Sequence, residues 1–166
     1  FVDELKRRGI PHIDSLLQST SATRLSTGAI ANILQYLSDP VSSRKLASAY
    51  QVWRRSLRDD KERWPFHLEV AKAIRKISNL EDYLYPGPTL DLLDQGEKQG
   101  GDSEIIKELT AFSEVVKRWQ KTILLPIDQL VLTIAQDLFL DPVELALAHK
   151  LSSLLRQFSD DHPDWR

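Results

Sequence analysis

Ser42-Ser43-Arg44-Lys45-Leu46-Ala47-Ser48-Ala49-Tyr50-Gln51-Val52-Trp53-Arg54-Arg55-Ser56-Leu57-Arg58 carries the most informative pattern in the chain. Leu46, Tyr50, Trp53 and Leu57 recur at intervals of four, three and four, which is the period of a helix and not of a strand. At about 100° per residue, Arg44, Ser48, Gln51, Arg55 and Arg58 fall on the opposite face. The stretch holds Arg44, Lys45, Arg54, Arg55 and Arg58 and no acidic residue. One amphipathic helix is expected from Ser42 to Arg58, apolar on one side and basic on the other.

The same period continues in both directions. Upstream, Ile30, Ile33, Leu34 and Leu37 place a helix over about 23–37 that Asp39-Pro40 ends. Ser19 to Thr23 reads as a hydroxyl-rich loop. Downstream, Trp64-Pro65 opens a helix with Phe66, Val70, Ile74 and Ile77 inward and Asn79 near its end, and residues 80–84 suggest one short turn. Residues 85–101 hold Pro86, Pro88 and most of the glycines, and 95–101 reads as a mobile loop. Asp102 is placed to cap a helix reaching Lys121, with Ile105, Leu109, Phe112, Val116 and Trp119 on one side. Pro126 starts another, with Ile127, Leu130, Val131 and Ile134. Asp141-Pro142-Val143-Glu144 has the residue order of a capping box with proline in the first turn. Val143, Leu147, Leu151, Leu154 and Phe158 follow as the expected buried stripe. The fold class is therefore all-α, an irregular bundle of about six to eight helices with no significant sheet.

Composition narrows the function. The 166 residues, 42% apolar and 28% charged, suit one globular domain. The absence of cysteine excludes disulfides, thiolate catalysis and cysteine-ligated zinc, and leans toward a reducing, cytoplasmic setting. No apolar run approaches the roughly 18 residues of a membrane span, so no membrane partner is expected. No phosphate loop or dinucleotide fingerprint is present. His12, His67, His149 and His162 are scattered, Asp59, Asp60 and Glu62 alternate with Lys61 and Arg63, and Asp160-Asp161-His162 reads as a helix end. No catalytic, cofactor-binding or metal-binding residue is assigned. Charge is uneven: residues 1–83 carry 14 Lys/Arg against 10 Asp/Glu, and residues 84–166 carry 8 against 14. A basic helix can contact successive phosphates, or its charge can meet the acids of the second half. The tryptophans at helical apolar positions, Trp53, Trp64 and Trp119, read as core. Residues 1–8 read as the last turns of a helix, so the chain is expected to be a piece of a longer one, with 1–22 the end of a preceding domain and a linker and 23–166 the helical domain.

The order Glu4-Leu5-Lys6-Arg7-Arg8-Gly9-Ile10-Pro11, a polar stretch, then Ala31-Asn32-Ile33-Leu34-Gln35-Tyr36-Leu37-Ser38-Asp39-Pro40 resembles UvrD/Rep-type superfamily 1 DNA helicases. There a Gly-Ile-Pro element leads out of the second RecA-like domain and a helix ending near Asp-Pro begins the inserted all-helical 2B subdomain. Leu125-Pro126-Ile127-Asp128-Gln129-Leu130-Val131 is similar to a later 2B segment in a bacterial branch, with a cyanobacterial one as candidate. Where the family often has Gly-Gly followed by Phe-Phe, residues 17–24 stand instead, so no contact of that element carries over. The resemblance implies a non-catalytic accessory domain of an ATP-dependent DNA helicase of repair type, with ATP and Mg bound in the parent's RecA-like domains and no cofactor in this piece. It further implies contact with duplex DNA, for which Arg24, Arg44, Lys45, Arg54, Arg55 and Arg58 are the candidate nucleic-acid-binding residues. Two other readings compete: a helix-turn-helix DNA-binding regulator built on 126–158, and a helical protein-interaction module using the acidic second half and the 85–101 loop.

Overall fold

The structure, a computed structural model, describes residues 7–8, 21–86 and 100–162. The expectations for Gly9-Ile10-Pro11, for 12–17 and for most of the 85–101 loop lie outside the described residues. The helix expected over residues 1–8 is described only at Arg7, which is helical, and Arg8, a turn. Seven α-helices and no strand occur among the described residues: α1 (Ser21–Leu37), α2 (Ser43–Trp53), α3 (Trp64–Arg75), α4 (Leu80–Leu84), α5 (Gly100–Lys121), α6 (Ile127–Leu138) and α7 (Pro142–Asp161). No helix among the described residues is long and apolar enough to cross a membrane.

Local signals set the starts. Ser42 caps α2 by accepting from the Lys45 amide at 3.3 Å. Asn79 does the same for α4, accepting from the Glu81 amide at 3.0 Å, so it begins a helix and does not end α3. Asp141 caps α7 by accepting from the Val143 amide at 2.9 Å. Two starts fall earlier than expected. Helix α1 begins at Ser21, inside the hydroxyl-rich stretch, and α5 begins at Gly100, so Asp102 lies within it.

The helices pack around one core of Ile33, Tyr36, Leu46, Tyr50, Val70, Ile74, Phe112, Val116, Trp119, Val131 and Ile134, all fully buried. Helices α1, α2 and α3 pack in sequence order, α6 and α7 form an antiparallel hairpin against α1, and α5 runs between α3, α4 and α6. Phe112 is the hub of an aromatic cluster. Its ring stacks on Trp53 at 5.3 Å and meets Tyr50 and Trp119 edge-on at 5.1 and 6.2 Å.

Two expected stripes are corrected. The Ser42–Arg58 helix ends at Trp53, and Arg55–Leu57 form a separate 3-10 turn. The apolar period persists through Leu57, but Arg54 leaves helical geometry at φ −92°, ψ 13°, where tertiary pairing overrides periodicity. On α7 the buried face is Leu147, Ala148 and Ser152, with Leu151 and Leu155 packed beside it, while Val143, Leu154 and Phe158 are exposed. For Leu154 and Phe158 the cause is length. Helix α6 has 12 residues and α7 has 20, about 18 against about 30 Å at 1.5 Å per residue. Ser152 already reaches the start of α6, donating to the Asp128 carbonyl at 3.0 Å, so Phe158 overhangs its partner.

Replacing Phe112 with alanine is expected to lower stability by about 3–5 kcal/mol, as for other buried aromatic truncations. The 93% exposed Leu124, changed to alanine, should leave stability within about 0.5 kcal/mol. Urea unfolding midpoints of the two variants check the contrast.

Candidate nucleic-acid interface

The arginines at the end of α2 are the most constrained of the basic residues. Arg54 makes a two-point pair with Glu108 of α5, Nε donating to Oε1 at 2.6 Å and an η nitrogen to Oε2 at 3.0 Å. Its guanidinium also lies 3.7 Å from the centroid of the Trp53 ring. Glu108 Oε1 accepts from the Tyr50 hydroxyl at 3.0 Å. The Tyr50 oxygen lies 2.7 Å from Nδ1 of the buried His67. With the Tyr50 hydrogen on Glu108, the ring donates its Nδ1–H to that oxygen. Burial, reinforced by Glu108, pushes the Tyr50 hydroxyl far above its usual range, so it stays a donor. Burial likewise holds His67 below the ordinary imidazole value, against the opposing pull of Glu108, with Arg54 and Arg63 adding to the depression and Asp60 opposing it.

Arg55 turns the other way. Its guanidinium donates to Glu144 of α7, whose other oxygen accepts from Ser26 of α1 at 3.1 Å. It also lies 4.7 Å from the Phe139 ring centroid. Glu144 is therefore an inter-helix tie, and the capping box expected at Asp141 is not closed by it.

Beside this tie a groove of about 870 Å³ opens between α1, the end of α2 and the start of α3. Arg24, Gly28 and Asn32 line it from one face of α1 at four-residue spacing. Ser48, Gln51 and Val52 contribute from α2, Arg55, Arg58 and Asp59 from the connection, and Trp64 and Leu68 from α3. A β-carbon at Gly28 would meet nothing within 4 Å, so the groove is open there. Arg24 and Arg58 are exposed, and among the described residues neither is within ion-pair distance of a carboxylate. Asp59 is the one carboxylate on the lining.

Of the six basic candidates, the fold brings Arg24, Arg55 and Arg58 to this groove. The other three lie elsewhere. Arg54 is engaged by Glu108, Lys45 pairs with Asp39 at 2.9 Å on the surface, and the exposed Arg44 does not line the groove. Trp64 is the lining residue that reads as core in the sequence. Its place at the first turn of α3, directly after the charged run 58–63, is the one local sign of a rim position. Among the described residues no group of three His, Asp or Glu side chains is placed to hold a metal ion. No family model matches the chain, and no curated protein or solved structure matches it.

The His67 environment makes stability pH-dependent. A histidine whose folded value is depressed binds its proton more readily unfolded, so its contribution is complete above the ordinary 6.5 and is lost as pH falls below it toward the folded value. Unfolding midpoints should therefore drop on acidification below that point. The drop should be smaller in a His67→Gln variant, which a urea series across pH 5–8 would show.

Proposed function

We propose that this chain is a non-catalytic accessory domain of an ATP-dependent DNA helicase that contacts the backbone of duplex DNA. The observation that carries the contact is the convergence of Arg24 and Arg58 on one open groove, without carboxylate partners among the described residues. Exposed guanidinium groups on rigid elements suit phosphate contact, because binding them releases condensed counterions and needs no sequence readout. Helicase membership is supported by the resemblance of residues 4–11, 31–40 and 125–131. On that reading ATP and Mg are bound in the parent's RecA-like domains, which are also the domain's partners within the parent. The competing helix-turn-helix regulator is less well supported: the would-be recognition helix α7 opens with Asp141 and Glu144, and Glu144 is held by Arg55.

Exposed apolar residues give a second reading some footing. Ile123, Leu124, Leu125 and Ile127 ring the start of α6, near the overhanging end of α7. A patch of this kind suits docking to another protein surface. Duplex binding separates the two readings.

In fluorescence anisotropy with a labelled blunt hairpin, the chain should bind weakly at low salt and lose affinity steeply as salt rises. Arg24→Glu combined with Arg58→Glu should weaken binding and lower the salt slope by about two, one per phosphate contact removed. Failure of the unaltered chain to bind at low salt, or an unchanged slope in the variant, would overturn the proposal. Arg55 is unsuitable for this test because its loss would strand Glu144.

A further inference from the structure

Among the described tryptophans, Trp64 is the exception. Trp53 stacks on Phe112 and carries Arg54, while Trp119 meets Phe112 edge-on and donates its Nε1–H to Asp137 at 2.8 Å. The Trp64 indole has no ring partner and no hydrogen-bond acceptor among the described residues, is only half-buried, and lines the groove that Arg24 and Arg58 flank. Gln51 lines the same groove, and its amide has no hydrogen-bond partner among the described residues.

We infer that the groove takes an unpaired nucleotide at the end of a duplex, with its base against the Trp64 ring and its phosphates on Arg24 and Arg58. Three features are needed together for that ligand, and all three are present. An aromatic face that no protein ring occupies offers stacking, which every base can use. Two unneutralised guanidinium groups offer charge to the flanking phosphates. The volume, about 870 Å³, lies within the range of small-ligand sites. A base inside the duplex cannot use the ring, because both its faces are covered by its neighbours in the stack, and a terminal base would have to enter the groove with its pairing partner attached. The groove would therefore distinguish a duplex carrying a single-stranded extension from a blunt one. Backbone contact alone would not. Gln51 supplies an amide that can meet a base edge without dictating which base.

The inference rests on the proposed contact with nucleic acid, and the test separates the two. The 166-residue chain is titrated with a labelled blunt hairpin and with the same hairpin bearing a short single-stranded overhang. The overhang should tighten binding on the order of tenfold, the scale of one stacked base. Trp64→Leu keeps apolar bulk and removes the aromatic face; it should abolish the overhang's advantage over the blunt hairpin. Trp64→Phe should keep most of the advantage, which a purely structural role for the side chain would not predict. Equal affinity for the two hairpins, or equal behaviour of the leucine and phenylalanine variants, would overturn the inference while blunt-hairpin binding still supported the proposed function. Loss of binding to both hairpins in the unaltered chain would overturn both.

Discussion

Arg54 and Arg55 are neighbours in the chain, and each is held by a carboxylate from a distant helix: Glu108, 54 residues away, and Glu144, 89 residues away. The rest of the architecture hangs on this divergence. The first pair fixes α5 against the end of α2 and keeps Phe112 between Trp53, Tyr50 and Trp119. The second, with Ser26, ties α7 to α1 and to the 3-10 turn. Magnitude decides what these ties contribute. A partly buried ion pair loses hydration roughly equal to what it gains, and replacing such a pair with apolar residues is often neutral. One buried aromatic side chain is worth about 3–5 kcal/mol on truncation. The apolar cluster therefore supplies the stability, and the arginine pairs select the one arrangement in which no charge is stranded.

The existence of the helices was legible in the sequence because their apolar residues repeat at helical spacing, and the starts at Ser43 and Pro142 because Ser42 and Asp141 are capping residues with a direct local mechanism. What periodicity alone could not show is where a helix stops when the pattern continues. Nothing between Val52 and Leu57 reads as a terminator, and the break falls where Arg54 and Arg55 pair with acids that lie far along the chain. The overhang of α7 has the same character. Leu154 and Phe158 continue a helical stripe, yet burial needs a partner helix alongside, and α6 is eight residues shorter than α7. Asn79 shows a different gap: a capping residue four positions after the end of a helix can end one element or begin the next, and only the hydrogen bond to Glu81 decides.

The candidate site was legible to a similar depth. The excess of basic residues in the first half and of acidic residues in the second is plain from composition. Composition does not say which charges meet inside the fold. Within the basic stretch, Lys45, Arg54 and Arg55 each meet an acid, at Asp39, Glu108 and Glu144, so charge density along a helix overstates what is free to meet a ligand. Arg24 lies outside that stretch, on a different helix, and acquires its significance from lining the same groove as Arg58. Trp64 was hidden for the converse reason, since an aromatic residue before an apolar stripe reads as core.

The same pairing that consumes the arginines of α2 also shapes the groove. Arg55, drawn toward Glu144 and Phe139, forms part of the lining and has one η nitrogen committed to the Glu144 carboxylate. A phosphate arriving there meets a guanidinium already neutralised by a carboxylate, and it gains little. Arg24 and Arg58 have no such neutralisation among the described residues, so the electrostatic attraction of the groove resides with them. Trp64 shares the lining with both. The internal salt bridges thus act twice: they select the packing of the helices, and by elimination they determine which two cations of the first half face the groove uncompensated.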